Sequence, residues 1–225
     1  MNQRILAWEG CNNVRDLGGL RTADGGMTVL GNIVRGDCPA RLTEQGWSEL
    51  YAYGIRTIIT LRTIGMLENE LDFTSPYPDI LTVQAAIEDI TDQEFLHKWA
   101  ITELWGTPLY YQDALGRWPD KHAAVVSAIA QAQPGGVLFH CIRGHDRTGI
   151  IALILLALAG VRREEVLADY ALSLDAERDE LLRRHNTSVP EAIFGALDGL
   201  DAQSYLRMGG VSQEELDAVR RRLVG

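Results

Sequence analysis

The chain is poor in cysteine: Cys11, Cys38 and Cys141 are the full set in 225 residues. An odd number at irregular spacing builds no disulfide framework and fits a reducing compartment. Positive charge is also short, with 21 Lys and Arg against 31 Asp and Glu, a net charge of −10. That balance excludes nucleic acid as a general partner and works against an anionic membrane surface. No apolar run reaches the ~20 residues that a bilayer span needs, so no stable membrane insertion is expected. No basic start leads into an apolar stretch, so no secretory leader is expected either. The expected location is cytoplasmic, with leaderless export left open. Metal-binding spacing is missing as well. His140 and Cys141 are adjacent and cannot readily share an ion, and no second cluster lies near them. No metal or cofactor is expected, and nothing in the sequence sets an oligomeric state.

What is present is 46% hydrophobic sequence without repeats or low-complexity tracts, enough for one domain over 1–225. Its organising stretch is 137–149, Val-Leu-Phe-His-Cys-Ile-Arg-Gly-His-Asp-Arg-Thr-Gly. Val137 to Phe139 reads as a buried strand and Ile150 to Ala159 as a buried helix. A strand, a tight polar turn and a helix N-terminus aim backbone N–H groups at an anion. Cys141 opens the turn and Arg147 closes it. A free cysteine titrates near pH ~8.5, but at a helix N-terminus beside cations that value falls to roughly 3.5–7.5, giving a nucleophilic thiolate. Arg147 offers a donor fork matched to two phosphate oxygens. The constellation suits thiolate attack on a phosphate ester, a phosphocysteine, and its hydrolysis. Thr148 can donate a hydrogen bond to the departing sulfur. Ile142, Arg143, Gly144, His145, Asp146 and Arg147 are the residues placed to cradle the phosphate.

His-Cys, five residues, Arg-Thr-Gly resembles the signature loop of cysteine-dependent protein tyrosine phosphatases. More narrowly, it resembles a bacterial branch of tyrosine and dual-specificity phosphatases. That branch carries His-Cys-x-x-Gly-Lys-Asp-Arg-Thr-Gly and includes mycobacterial and phosphoinositide-cleaving members. The branch also has an N-terminal Asn-Phe-Arg-Asp-Leu-Gly-Gly box, and residues 13–19 here read Asn-Val-Arg-Asp-Leu-Gly-Gly. The resemblance implies a metal-independent phosphatase acting on phosphorylated protein or a phospholipid headgroup. It gives His140 and the box residues Arg15 and Asp16 supporting roles around the loop. Asp169-Tyr170-Ala-Leu-Ser173 is similar to a further segment of the family. Two functions of other kinds stay open on the residues: a non-catalytic phosphate-binding module, and an arsenate- or sulfur-handling enzyme with the same cysteine loop.

The rest of the chain predicts an α/β fold with a four- or five-stranded, mainly parallel central sheet flanked by helices. A hairpin is expected about Asp24-Gly25-Gly26, with strands near Leu20–Thr22 and Met27–Val34. Thr43 to Tyr53 reads as a helix capped by Thr43 and stopped by Gly54. Ile55–Leu61 and Ile80–Ile87 read as strands. Arg62 is similar to the arginine of the family's Asp-Leu-Arg box, but Thr60 replaces its aspartate; Glu68 or Glu70 would be the acid that follows. Residues 91–118 carry an aromatic stripe, Phe95, Trp99 and Leu104, expected as a packed helix pair or as a lid or pocket wall. Ser212-Gln-Glu-Glu215 is a capping box for the last helix.

Expelling an alkoxide requires a proton donor. Asp146, inside the loop, is the first candidate, as in the resembled branch. Asp120, in Trp118-Pro119-Asp120, is the second and also a natural N-cap. The branch has lysine where this chain has His145. An imidazole is charged only near or below its pKa of about 6.5, so the substitution favours monophosphate substrates and makes any charge at 145 pH-dependent.

Overall fold

A computed structural model describes residues 4–62, 72–173 and 176–225. Glu68 and Glu70 lie outside the described residues. Five strands form one sheet: β1 (Arg15–Asp16), β2 (Ile33–Gly36), β3 (Ile55–Thr60), β4 (Leu81–Gln84) and β5 (Gly136–His140). Their order is β1-β2-β5-β3-β4, with β1 antiparallel to β2 and the other pairings parallel. The expected α/β architecture with a mainly parallel sheet is the one observed. β5 is fully buried at the centre, which is why it reads as an unbroken apolar run rather than an alternating one. Its residues still divide by face. Val137 and Phe139 join the larger core, and Leu138 joins the smaller one with Val34, Trp47, Leu50 and Ile58.

The helices follow from local chemistry. α1 (Glu44–Ala52) is capped by Thr43, whose side chain accepts from the Gly46 amide. α2 (Gln93–Phe95) continues into a π-turn over Leu96–Ala100. α3 (Tyr111–Arg117) and α4 (Pro119–Ala130) follow. α5 (Asp146–Leu158) is apolar all round and buried, as a helix in the middle of a core must be. It begins at Asp146, one turn earlier than its apolar run implies. α6 (Arg163–Ala171), α7 (Ala176–Arg184), α8 (Val189–Leu197), α9 (Ala202–Met208) and α10 (Gln213–Val224) complete the chain. Ser212 and Glu215 form the expected capping box of α10. Among the described residues, no helix is long and apolar enough to cross a membrane. The stripe Phe95, Trp99, Leu104 is buried in the larger core with Tyr110 and Trp118.

Two expectations need correction. The hairpin strands shrink to one bridge, Arg21–Met27. Backbone bonds still join the two sides, Thr28 N to Leu20 O at 2.9 Å, Gly19 N to Thr28 O at 2.7 Å and Thr22 N to Gly26 O at 3.0 Å. Thr28 Oγ1 also donates to Leu17 O at 2.6 Å and accepts from Leu20 N at 2.9 Å, so the pairing is irregular. Trp118, not Asp120, is the N-cap of α4, and Pro119 opens it, as proline can where an N–H would be orphaned anyway.

The 13–19 box has a packing role that reaches across the fold. Arg15 and Asp16 do not pair with each other. Asp16 accepts from Gly18 N (2.5 Å), Gly31 N (2.7 Å) and Tyr53 Oη (2.6 Å), fixing the turn. Arg15 crosses to α6 and meets Asp169 at 3.1 Å, where Arg4 and Arg35 also arrive, Arg35 at 2.7 Å. Asp169 and all three arginines are buried. The cations hold its carboxyl far below the usual carboxylate range against a burial cost that opposes them, Arg35 contributing most. A carboxyl depressed in this way contributes stability at pH values above its unfolded pKa of about 3.9, and loses it as pH falls through the folded value. Asp169→Asn should therefore cost about 3–5 kcal/mol at pH 7, read by denaturant unfolding, with the loss shrinking below pH 4. A change below about 1 kcal/mol would show that the cluster is not structural.

Candidate active site

Cys141 lies one residue beyond β5, at the carboxyl ends of the parallel strands, where such sheets bind ligands. His140 ends that strand and is wholly buried. Its Nδ1 sits 2.9 Å from Cys141 O and its Nε2 2.9 Å from Thr60 Oγ1. A carbonyl only accepts, so Nδ1 carries the proton and Nε2 accepts from the threonine. Burial pushes the ring down to about 4, keeping it neutral. Thr60, which replaces an aspartate of the resembled box, thus orients His140. Arg62 finds its carboxylate in Asp72, at 3.0 Å.

From Cys141 to Asp146 each carbonyl is tied to a donor. Cys141 O takes His140 Nδ1 at 2.9 Å, Ile142 O takes Cys38 N at 3.1 Å, and Arg143 O takes Asn13 Nδ2 at 2.9 Å. Gly144 O takes Arg35 Nη2 at 2.9 Å, His145 O takes Gly149 N at 2.6 Å, and Asp146 O takes Tyr111 Oη at 2.8 Å. Within a trans peptide the C=O and the next N–H point opposite ways. Tying the carbonyls outward therefore turns the amides of the loop inward, which is an anion nest. Two glycines are obligatory here. Gly144 has φ +69°, and a Cβ would sit 2.6 Å from the Gly36 carbonyl carbon; on Gly149 a Cβ would sit 2.2 Å from Tyr111 Oη.

The nest faces a cavity of about 320 Å³. Cys141, Ile142, Arg143, Asp146 and Arg147 line it from the loop; Glu88, Trp105, Tyr110 and Arg178 line it from elsewhere. Arg147 Nε is 3.9 Å from Glu88 Oε2, and Trp105 Nε1 donates to Glu88 Oε1 at 3.2 Å. Arg178, on α7, ion-pairs with Asp146 Oδ2 and places Nη1 2.5 Å from His145 Nδ1. Asp146 Oδ1 has no hydrogen-bond partner among the described residues. Burial pushes the Asp146 carboxyl up to about 6, with Arg178 pulling the other way. Thr148 Oγ1, in the first turn of α5, is also buried without a partner among the described residues.

Residues 6–225 match the family described as the tyrosine phosphatase family. The chain belongs to that family. It is similar to a tyrosine-protein phosphatase of Nostoc commune, 29% identical over 215 residues, which cover 81% of this chain and 71% of the relative. It is also similar to the triple specificity protein phosphatase PtpB of Mycobacterium tuberculosis, 26% identical over 200 residues, covering 74% and 68% of the two chains.

Of the residues singled out from the sequence of this phosphatase-family chain, Cys141, Ile142, Arg143, Asp146 and Arg147 share one cavity. Gly144 lies behind the loop against Gly36. His145 faces a neighbouring polar cleft. Its Nδ1 lies 2.5 Å from Arg178 Nη1, which can only donate, so Arg178 brings a fixed cation to this corner beside the histidine. Asp120 is exposed in the first turn of α4, does not line the cavity, and lies within electrostatic reach of His122 and Tyr205. Glu88 and Arg178 escaped sequence reasoning. Glu88 follows β4 with no motif around it, and Arg178 is one of several charges on the polar helix α7. Because Arg178 lowers the Asp146 carboxyl, Arg178→Ala should move its titration midpoint above about 6, followed by carbon-13 NMR of the side-chain carboxyl. An unchanged or lower midpoint would show that the pair is not electrostatically coupled.

Proposed function

We propose that this chain hydrolyses phosphate monoesters, aryl esters such as phosphotyrosine first, through a phosphocysteine. What carries the reading is the loop whose carbonyls are all tied outward, with Cys141, Arg147 and Asp146 on one cavity. The Cys141 thiolate attacks phosphorus, and the bond to the leaving oxygen breaks. Arg147 and the loop amides take up the charge on the equatorial oxygens. Asp146, its carboxyl near neutrality and one oxygen unengaged, gives its proton to the leaving oxygen. Water then attacks phosphorus, Asp146 recovers a proton from it, and the P–S bond breaks to release inorganic phosphate and the thiolate. Thr148 Oγ1, buried and unpartnered, is available to donate to that sulfur. Trp105 and Tyr110 give the cavity an aromatic wall that suits an aryl leaving group. The runner-up, a binding module without catalysis, leaves the unengaged Asp146 oxygen without a use.

Cys141→Ser should abolish turnover of p-nitrophenyl phosphate while a chelator leaves the wild type unaffected. Asp146→Asn should lower kcat about 10²–10⁴-fold for alkyl phosphates, whose leaving groups need a proton, and far less for p-nitrophenyl phosphate. Asp120→Asn should change neither. The selective loss appearing in Asp120→Asn instead would reassign the acid.

A further inference from the structure

Beside the catalytic cavity lies a second, polar cleft of about 260 Å³, whose lining includes Asn13, Asp37, Arg41, Arg143, His145 and Ser173. Arg143 lines both, so the two spaces meet across one side chain. The cleft has a built floor. Asn13 Nδ2 donates to Arg143 O at 2.9 Å and to Ser173 Oγ at 3.3 Å, and Asn13 Oδ1 accepts from the buried Arg15 at 2.5 Å.

Its cations are unusual for this protein. Arg4, Arg15 and Arg35 converge on Asp169, Arg62 meets Asp72, and Arg178 meets Asp146. Among the described residues neither Arg41 nor Arg143 makes an ion pair, and both side chains are exposed. The cleft's carboxylate, Asp37, is buried and turned inward, its two oxygens accepting from Asn12 N at 3.0 Å and Asn13 N at 3.2 Å. Two arginines against one engaged carboxylate leave a positive cleft on a chain of net charge −10. Two exposed guanidiniums on one cleft repel one another, and an anion taken into it lowers that cost.

We infer that this cleft is a second anion subsite, which takes a carboxylate or phosphate on a residue flanking the phosphotyrosine of a peptide substrate. The inference rests on the phosphatase reading above. It deepens it by assigning specificity to Arg41, with Arg143 bridging the two spaces. A phosphotyrosine peptide fits better than a membrane-embedded headgroup, because the aromatic wall of the first cavity suits an aryl ester. The lysine-to-histidine change at 145 does not weaken the cleft, because its charge comes from side chains at 41 and 143.

The test compares kcat/KM for phosphotyrosine peptides bearing alanine, glutamate or a second phosphotyrosine beside the reacting residue. The wild type should prefer the acidic peptides about tenfold, the size of one charge-assisted hydrogen bond, and lose that preference in high salt. Arg41→Ala should bring it within about twofold with p-nitrophenyl phosphate turnover unchanged. Calorimetric binding of the same peptides to the Cys141→Ser protein asks the same question without catalysis. A preference that survives Arg41→Ala, or no preference in the wild type, overturns the subsite. So does a loss on Arg41→Ala confined to inositol bisphosphates. A wild type that binds acidic peptides through Arg41 yet leaves p-nitrophenyl phosphate intact upholds the subsite and overturns the catalytic reading.

Discussion

Asp169 sets the shape of a loop it does not belong to. It sits in α6 and gathers Arg4, Arg15 and Arg35 in the interior. Arg35 spends its other terminal nitrogen on Gly144 O at 2.9 Å and His145 O at 3.4 Å, so the carboxylate and the loop are linked through one guanidinium. Three cations and one anion leave two positive charges over. Such a cluster would be costly were its hydrogens unpaired. Carbonyls and hydroxyls take up most of them, Asp16 O for Arg4 and Asp169 O and Ser173 Oγ for Arg15, while Arg35 Nε is left without a partner among the described residues. Burial and the neighbouring Arg35 push Arg15 down to about 10, still charged at neutral pH. The surplus lies behind the turn whose amides face the cavity, where it favours an anion in front. Structure and electrostatics at this site are one arrangement, because the group that pins the carbonyls is also a charge.

The same economy runs through Asp146. Its backbone starts α5, its carbonyl takes Tyr111 Oη at 2.8 Å, and its carboxyl lines the cavity. Burial and Arg178 act on that carboxyl in opposite directions, and burial wins, leaving it at about 6. In the proposed cycle the group must give a proton in one half and take one in the other, and a pKa near the working pH serves both. Either influence alone would spoil this. Full solvation would leave the group ionised, and burial without Arg178 would hold it protonated.

What could be read from the chain beforehand was whatever is local. The turn from His140 to Gly149, the Thr43 and Ser212 caps, and the strands Ile55–Thr60 and Gly136–His140 are each specified by neighbours in sequence. The 13–19 box and the 169–173 segment stood out as separate marks, but the contact between Arg15 and Asp169, 154 positions apart, did not. Glu88 and Arg178 were invisible for the same reason. A lone carboxylate after a strand and one guanidinium on a charged helix have no periodicity to betray them; each gains meaning only when the fold carries it to the cavity. The hairpin about Gly25 misled in the opposite way. Its turn residues are sound and backbone bonds join its two sides, but the Thr28 side chain also engages the Leu20 amide and the Leu17 carbonyl, and the pairing does not become regular strand.

The histidine at 145 shows how a substitution in a motif is to be weighed. Taken alone, imidazole for lysine turns a fixed charge into a titrating one. In the fold, Arg178 Nη1 reaches His145 Nδ1 at 2.5 Å while Nη2 of the same residue holds Asp146. Since a guanidinium can only donate, Nδ1 is the acceptor in that contact. A guanidinium keeps its charge at any pH the protein meets. A permanent cation at this corner is thus supplied by α7, beside the imidazole and the Asp146 carboxylate. Position 145 is therefore to be weighed with its neighbours, because the motif records which side chain stands there and not which charges the fold brings beside it.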